Sequence, residues 1–125
     1  MSLPLRILLI INAVAALAAG IVLFAVPAAI PSTVGIALPP EANFVAWLLG
    51  AAEIGIAALC AAALRSPEPT ALRLTVLTLI VFHAASAVAD LMALLQHPGA
   101  GLAINLAVRV RMVVLFALFG LRRAA

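Results

Sequence analysis

The sequence predicts an all-α protein, a four-helix transmembrane antiparallel bundle forming one domain over 1–125. Three observations carry this expectation. Of the 125 residues, 68% are hydrophobic and 9% are charged, whereas roughly a quarter of the residues in a soluble domain are charged. The apolar residues collect into four runs, each near the ~20 residues with which a helix crosses about 30 Å of hydrocarbon. Helix-breaking clusters separate the runs, at Pro27 to Pro40, Arg65 to Thr70 and His97 to Gly99.

The first span, 7–27, follows Arg6 and is interrupted only by Asn12 and Gly20. A secretory signal core would run about 7 to 15 residues, so this longer run is expected to be a retained span. Pro27 and Pro31 close it, and the link that follows carries Val34, Ile36 and Leu38, which suit the membrane interface. The second span, 44–64, has Trp47 one turn in, at the level of the headgroups. Along it Ala46, Gly50, Glu53, Ala57 and Cys60 recur at steps of three or four, setting one carboxylic acid into a stripe of small residues. Cys60 is the single cysteine; it excludes an intrachain disulfide and reads as packing. The third span, 72–96, stops at the turn signal His97-Pro98-Gly99. The fourth, 102–121, holds Asn105, Arg109 and Arg111 and is followed by Arg122 and Arg123.

Arginine placement sets the orientation. With four alternating helices, Arg6, Arg65, Arg73, Arg122 and Arg123 share one side, and no arginine stands at a helix end on the other. The expected location is therefore the inner (plasma) membrane, with both termini cytoplasmic. The net charge of +3 is spread over helix ends and forms no groove, which excludes a nucleic-acid partner.

The chemistry lies in the ionisable residues inside the spans. His83, Asp90 and His97 stand at seven-residue steps, which puts them on one helix face with Ser86. An aspartate at mid-membrane costs roughly 3 kcal/mol even on the gentler scales, so Asp90 must be paired, protonated or wet. Arg109 and Arg111 are about 200° apart around their helix and cannot face the same neighbours. Arg109 shares its side with Asn105, Met112 and Phe116 and is assigned to the bundle, opposite Asp90 or Glu53. Arg111 is left for a second copy, a partner subunit or a lipid phosphate. At ~1.5 Å per residue, Glu53, His83, Asp90, Asn105 and Arg109 fall in the outer half between the second, third and fourth spans. These five are the candidate ligand-binding residues. Asn12 is expected to act as interhelical glue nearer the cytoplasm.

No catalytic residue and no metal-ligand set is assigned, because the chain has no HxxxH pair and no cysteine cluster. His83 and His97 are ~21 Å apart along one helix and cannot share a haem within one chain. No cofactor is identified.

Arg6 ahead of the first span, Pro27 closing it, the segment Gly50-Ala51-Ala52-Glu53-Ile54-Gly55 and Asp90 late in the third span together resemble the DoxX-like group of small four-helix membrane proteins. The resemblance covers nearly the whole chain. It implies a compact four-helix bundle with an acid on the second helix, and some relatives are implicated in quinone or thiol redox systems. Ala52 stands where the group often carries an arginine, so the cation for Glu53 has to come from Arg109 or Arg111.

The function these readings support is a lipid- or quinone-type small-molecule-binding membrane protein, or an accessory subunit of a membrane complex. Membrane lipids surround it, and a homo-oligomer or a larger complex is the expected assembly. Two alternatives stand beside it. One is a proton-coupled oligomeric transporter with Glu53, Asp90 and His83 as a relay, although four helices leave little room for alternating access. The other is a membrane enzyme acting on a lipid or quinone, with Glu53 or His83 as acid or base. Two acids and two arginines can also do no more than neutralise each other and fix helix register.

Overall fold

A computed structural model describes residues 1–66 and 68–121. Pro67, in the polar loop, and Arg122 and Arg123, expected at the end of the last span, lie outside these residues. The chain forms α1 (Leu3–Ala25), the short α2 (Ala29–Thr33), α3 (Asn43–Arg65), α4 (Pro69–Gln96) and α5 (Ala100–Phe116), which continues as a π-helical turn over Ala117–Leu121. Four of these helices are long and apolar enough to cross a membrane. No strand occurs among the described residues.

Local chemistry sets the helix ends. The Ser2 hydroxyl accepts from the Leu5 N–H at 3.4 Å, and Pro4 lies in the first turn, so α1 starts ahead of Arg6. It stops at Ala25 because Pro27 has no N–H with which to continue the ladder. The Glu68 carboxylate accepts from the Thr70 and Ala71 N–H groups, and Pro69 is the first helical residue, so α4 begins ahead of the apolar run expected from 72. Those backbone hydrogen bonds hold the Glu68 carboxyl below the usual carboxylate range. The cap is accordingly at full strength above that range and weakens as pH falls through it. At the far end His97 leaves the helix and is exposed, so the face shared with His83 and Asp90 does not reach it.

The four long helices run up and down in turn. α1 packs chiefly on α3 and α4 chiefly on α5, and the two pairs meet along α3–α4 and α1–α5. Around the bundle the order is α1, α3, α4, α5, which leaves α1 diagonal to α4 and α3 diagonal to α5. α1 and α3 approach closely at Gly20 and Gly50. A Cβ on Gly20 would fall 2.6 Å from Ile54 Cγ1 and 2.9 Å from the Gly50 carbonyl oxygen. The stripe of Ala46, Gly50, Glu53, Ala57, Cys60 and Ala63 is buried along its length. Near the end where the chain starts, Leu5, Leu8, Leu9, Val76, Leu79 and Phe116 close around Cys60 and Ala63 as one apolar cluster.

Gly20→Ala should lower thermal stability in detergent by about 1–3 kcal/mol, because the added methyl meets backbone that cannot move without separating α1 from α3. Gly55→Ala, whose Cβ would have nothing within 4 Å, is the matched control and should be neutral or slightly stabilising. Equal melting temperatures for the two variants would contradict the close approach of α1 and α3.

Candidate functional site

One or more polar residues from each of the four long helices meet near the middle of the bundle. Arg109 of α5 is the place to start, because a guanidinium can only donate. Its Nη1 lies 3.2 Å from His83 Nδ1 on α4, so Nδ1 must be the unprotonated, accepting nitrogen. The ring proton is then on Nε2, which donates to Asn12 Oδ1 of α1 at 2.9 Å. With its oxygen fixed toward His83, Asn12 turns its Nδ2 to Cys60 Sγ on α3 at 3.4 Å. The sequence Arg109, His83, Asn12, Cys60 thus donates in one direction. Arg109 Nη2 stands 3.9 Å from Glu53 Oε1, back on α3.

This chain of contacts ties the helix pairs together. Asn12 to Cys60 and His83 to Arg109 each link neighbours within a pair. Asn12 to His83 and Arg109 to Glu53 bridge the two diagonals. Aromatic rings hold the imidazole between them. Phe116 stacks on His83 with centroids 6.0 Å apart, Phe82 meets its edge at 5.6 Å, and the Arg109 guanidinium lies 5.7 Å from the centre of the Phe82 ring. Phe116 is fully buried, two turns from Arg109 on the same side of α5.

The five candidate residues fall into two groups. Glu53, His83 and Arg109 belong to the mid-bundle cluster. Asp90 and Asn105 pair with each other, Asn105 Nδ2 donating to Asp90 Oδ2 at 2.9 Å in the α4–α5 seam, nearer the His97 end. Of the two acids offered to Arg109, Glu53 is therefore the one beside it, and Asp90 takes an amide partner. Arg111 is exposed on the outside of α5.

Two residues enter the cluster that sequence reasoning set apart from it. Asn12, expected as glue nearer the cytoplasm, is buried against His83, so the polar cluster draws on the first helix as well as on the other three. Cys60, read as packing, also receives the Asn12 amide. A signal for Asn12 existed, since it was the one polar side chain within an otherwise apolar first span. α1 starts at Leu3, ahead of the expected span, so Asn12 lies deeper along the helix than a start at residue 7 implies while remaining nearer its N-terminal end.

Within this network Asn12→Leu and His83→Phe should each destabilise the protein by about 1–3 kcal/mol, since each leaves a buried partner unsatisfied. The double variant should lose less than the sum, with a coupling of roughly 0.6 to 1.7 kcal/mol, the range found for interhelical hydrogen bonds in lipid. Strict additivity in thermal unfolding would show that the two side chains do not share a hydrogen bond. No family model, curated protein or solved structure matches the chain.

Proposed function

We propose that the chain is an integral protein of the inner membrane that binds a small amphiphile of quinone or neutral-headgroup lipid type between Glu53 and Arg109. The observation that carries this is the unused hydrogen-bonding capacity at that point. The Glu53 side chain is 9% exposed, and its carboxylate accepts no hydrogen bond among the described residues. Its cation stands at 3.9 Å, beyond hydrogen-bond length. Arg109, 23% exposed, spends one of its five N–H donors on His83 and makes no other hydrogen bond among the described residues.

An acceptor and several donors therefore stand side by side in apolar surroundings. A ligand carbonyl suits the guanidinium and a ligand hydroxyl suits the carboxylate, which is the pattern of a quinone and its quinol. A dianion fits poorly, because the Glu53 carboxylate already stands beside the single inward cation. The role is binding, with Arg109 and Glu53 as contacts and His83 and Asn12 orienting Arg109. The DoxX-like kinship drawn from Glu53 and its neighbours is part of the same proposal.

The test uses the full chain in phosphatidylcholine nanodiscs with a short-chain quinone as probe. A ligand bound only by the folded state stabilises by RT ln(1 + [L]/Kd), about 2.7 kcal/mol at a hundredfold excess over Kd. The melting temperature should rise with added quinone for the wild type and for His97→Ala, and should stay flat for Glu53→Gln and Arg109→Leu. A rise retained in both site variants would place the ligand elsewhere.

Orientation is the second element of the proposal, with both termini cytoplasmic. It rests on the arginine bias, Arg6, Arg65 and Arg73 standing at one end of the bundle. An alkaline phosphatase fusion at Ala125 should be inactive and a green fluorescent protein fusion there should be fluorescent. The opposite pair of results would reverse the orientation.

A further inference from the structure

Arg111 is a cation on the wrong side of its helix for a bundle in lipid. It is exposed, and it lies near the middle of the fourth span, Ala100–Leu121, roughly 15 Å from either end. An extended arginine side chain covers about half of that distance, so the guanidinium does not reach the headgroups without deforming the bilayer. Its surroundings on the same face are Ala103, Ile104, Ala107 and Val108, all exposed. The fourth span is also the one least buried in the bundle, with 11% of its apolar stretch buried against 33% for the first.

The chain's own acids stand at the ends of the bundle or are taken up within it. There are four of them. Glu41 precedes α3 and Glu68 caps α4, both at the ends of the bundle. Glu53 faces inward beside Arg109. Asp90 is half-buried in the α4–α5 seam, where its carboxylate already accepts from the Asn105 amide. A symmetric contact through α5 would moreover bring two arginines together across the dyad.

We propose that this outer face of α5 docks a transmembrane helix of a different protein, one that carries a carboxylic acid near mid-span. Ala103 and Ala107, one turn apart, let the incoming helix approach closely. Arg111 then forms a charge-assisted, bidentate pair with the partner's carboxylate in place of contact with acyl chains. The docking face stands on Arg111, Ala103 and Ala107 alone, whether or not a quinone or lipid binds at Glu53 and Arg109.

The test reconstitutes the full chain in phosphatidylcholine vesicles with a labelled transmembrane peptide of leucine and alanine bearing one central glutamate. Association is read by energy transfer to a dye on the chain. The glutamate peptide should bind at least tenfold more tightly than the same peptide with glutamine. Arg111→Leu and Arg111→Gln should abolish the difference while keeping the wild-type melting temperature, as expected of an exposed residue, and Arg111→Lys should restore part of it. Glutamate and glutamine peptides binding alike, or a difference that survives both neutral variants, would overturn the proposal. So would disulfide cross-linking of Ala107→Cys between copies that depends on Arg111, since a second copy would then cover the face.

Discussion

A guanidinium in an apolar bundle can only donate hydrogen bonds and can hardly lose its charge, and the arrangement at mid-span follows from placing one there. Because Arg109 must donate, His83 must accept at Nδ1. Because His83 must then carry its proton at Nε2, Asn12 must present its oxygen and turn its amide to Cys60. One obligatory donor on α5 thus fixes a ring tautomer on α4 and an amide orientation on α1. Removing Arg109 would leave a ring, an amide and a carboxylate without a common reference. Removing Cys60 would affect only the last, long contact of the series.

Such a network has a purpose in lipid that it would lack in water. Acyl chains are as apolar as leucine, so burial of apolar surface does little to draw helices together. Close backbone approach and polar contacts must do it. The bundle divides these tasks. Gly20 against Gly50 brings α1 and α3 together by shape, and the polar contacts of Asn12 with His83 and of Arg109 with Glu53 join that pair to α4 and α5. Each diagonal contact spans helices that barely touch otherwise, so a register shift in either pair breaks a polar contact at once. Buried ionic groups can in this way specify an arrangement even where their net stabilisation is small.

The fold was legible in the sequence because the four apolar runs and the clusters between them are signals repeated over about 20 residues. Glu53 was legible as an inward residue because it sits in a stripe of small residues. Arg109 was legible because the 3.6-residue period separates it from Arg111 and groups it with Phe116, which stacks on His83. Pairings were less legible. Charge attracts charge in a sequence reading, so Asp90 was offered an arginine, whereas the neighbour within reach across the α4–α5 seam is the Asn105 amide. Amides and thiols carry no sign by which to choose partners, and the meeting of Asn12, His83 and Cys60 depends on helix levels. Those levels shift by a turn when a cap such as Ser2 or Glu68 starts a helix before its apolar run.

The two arginines of α5 sit two residues apart in opposite environments, and that spacing joins the interior of the bundle to its surface. A rotation of α5 about its axis moves both guanidinium groups through the same angle. Contacts at Arg111 therefore bear on how Arg109 is presented to His83 and Glu53. The fourth span has the smallest buried share of the four. It ends in a wide π-helical turn, where a Cβ on Gly120 would meet Val76 Cγ1 at 2.5 Å. If the proposed partner and the proposed ligand each held α5 in one rotation, their coupling would be reciprocal by linkage: a partner that fixed α5 would preorganise the Glu53–Arg109 pair to the same extent that a ligand at that pair favoured the partner. A helix tightly packed on every side could not carry such a coupling.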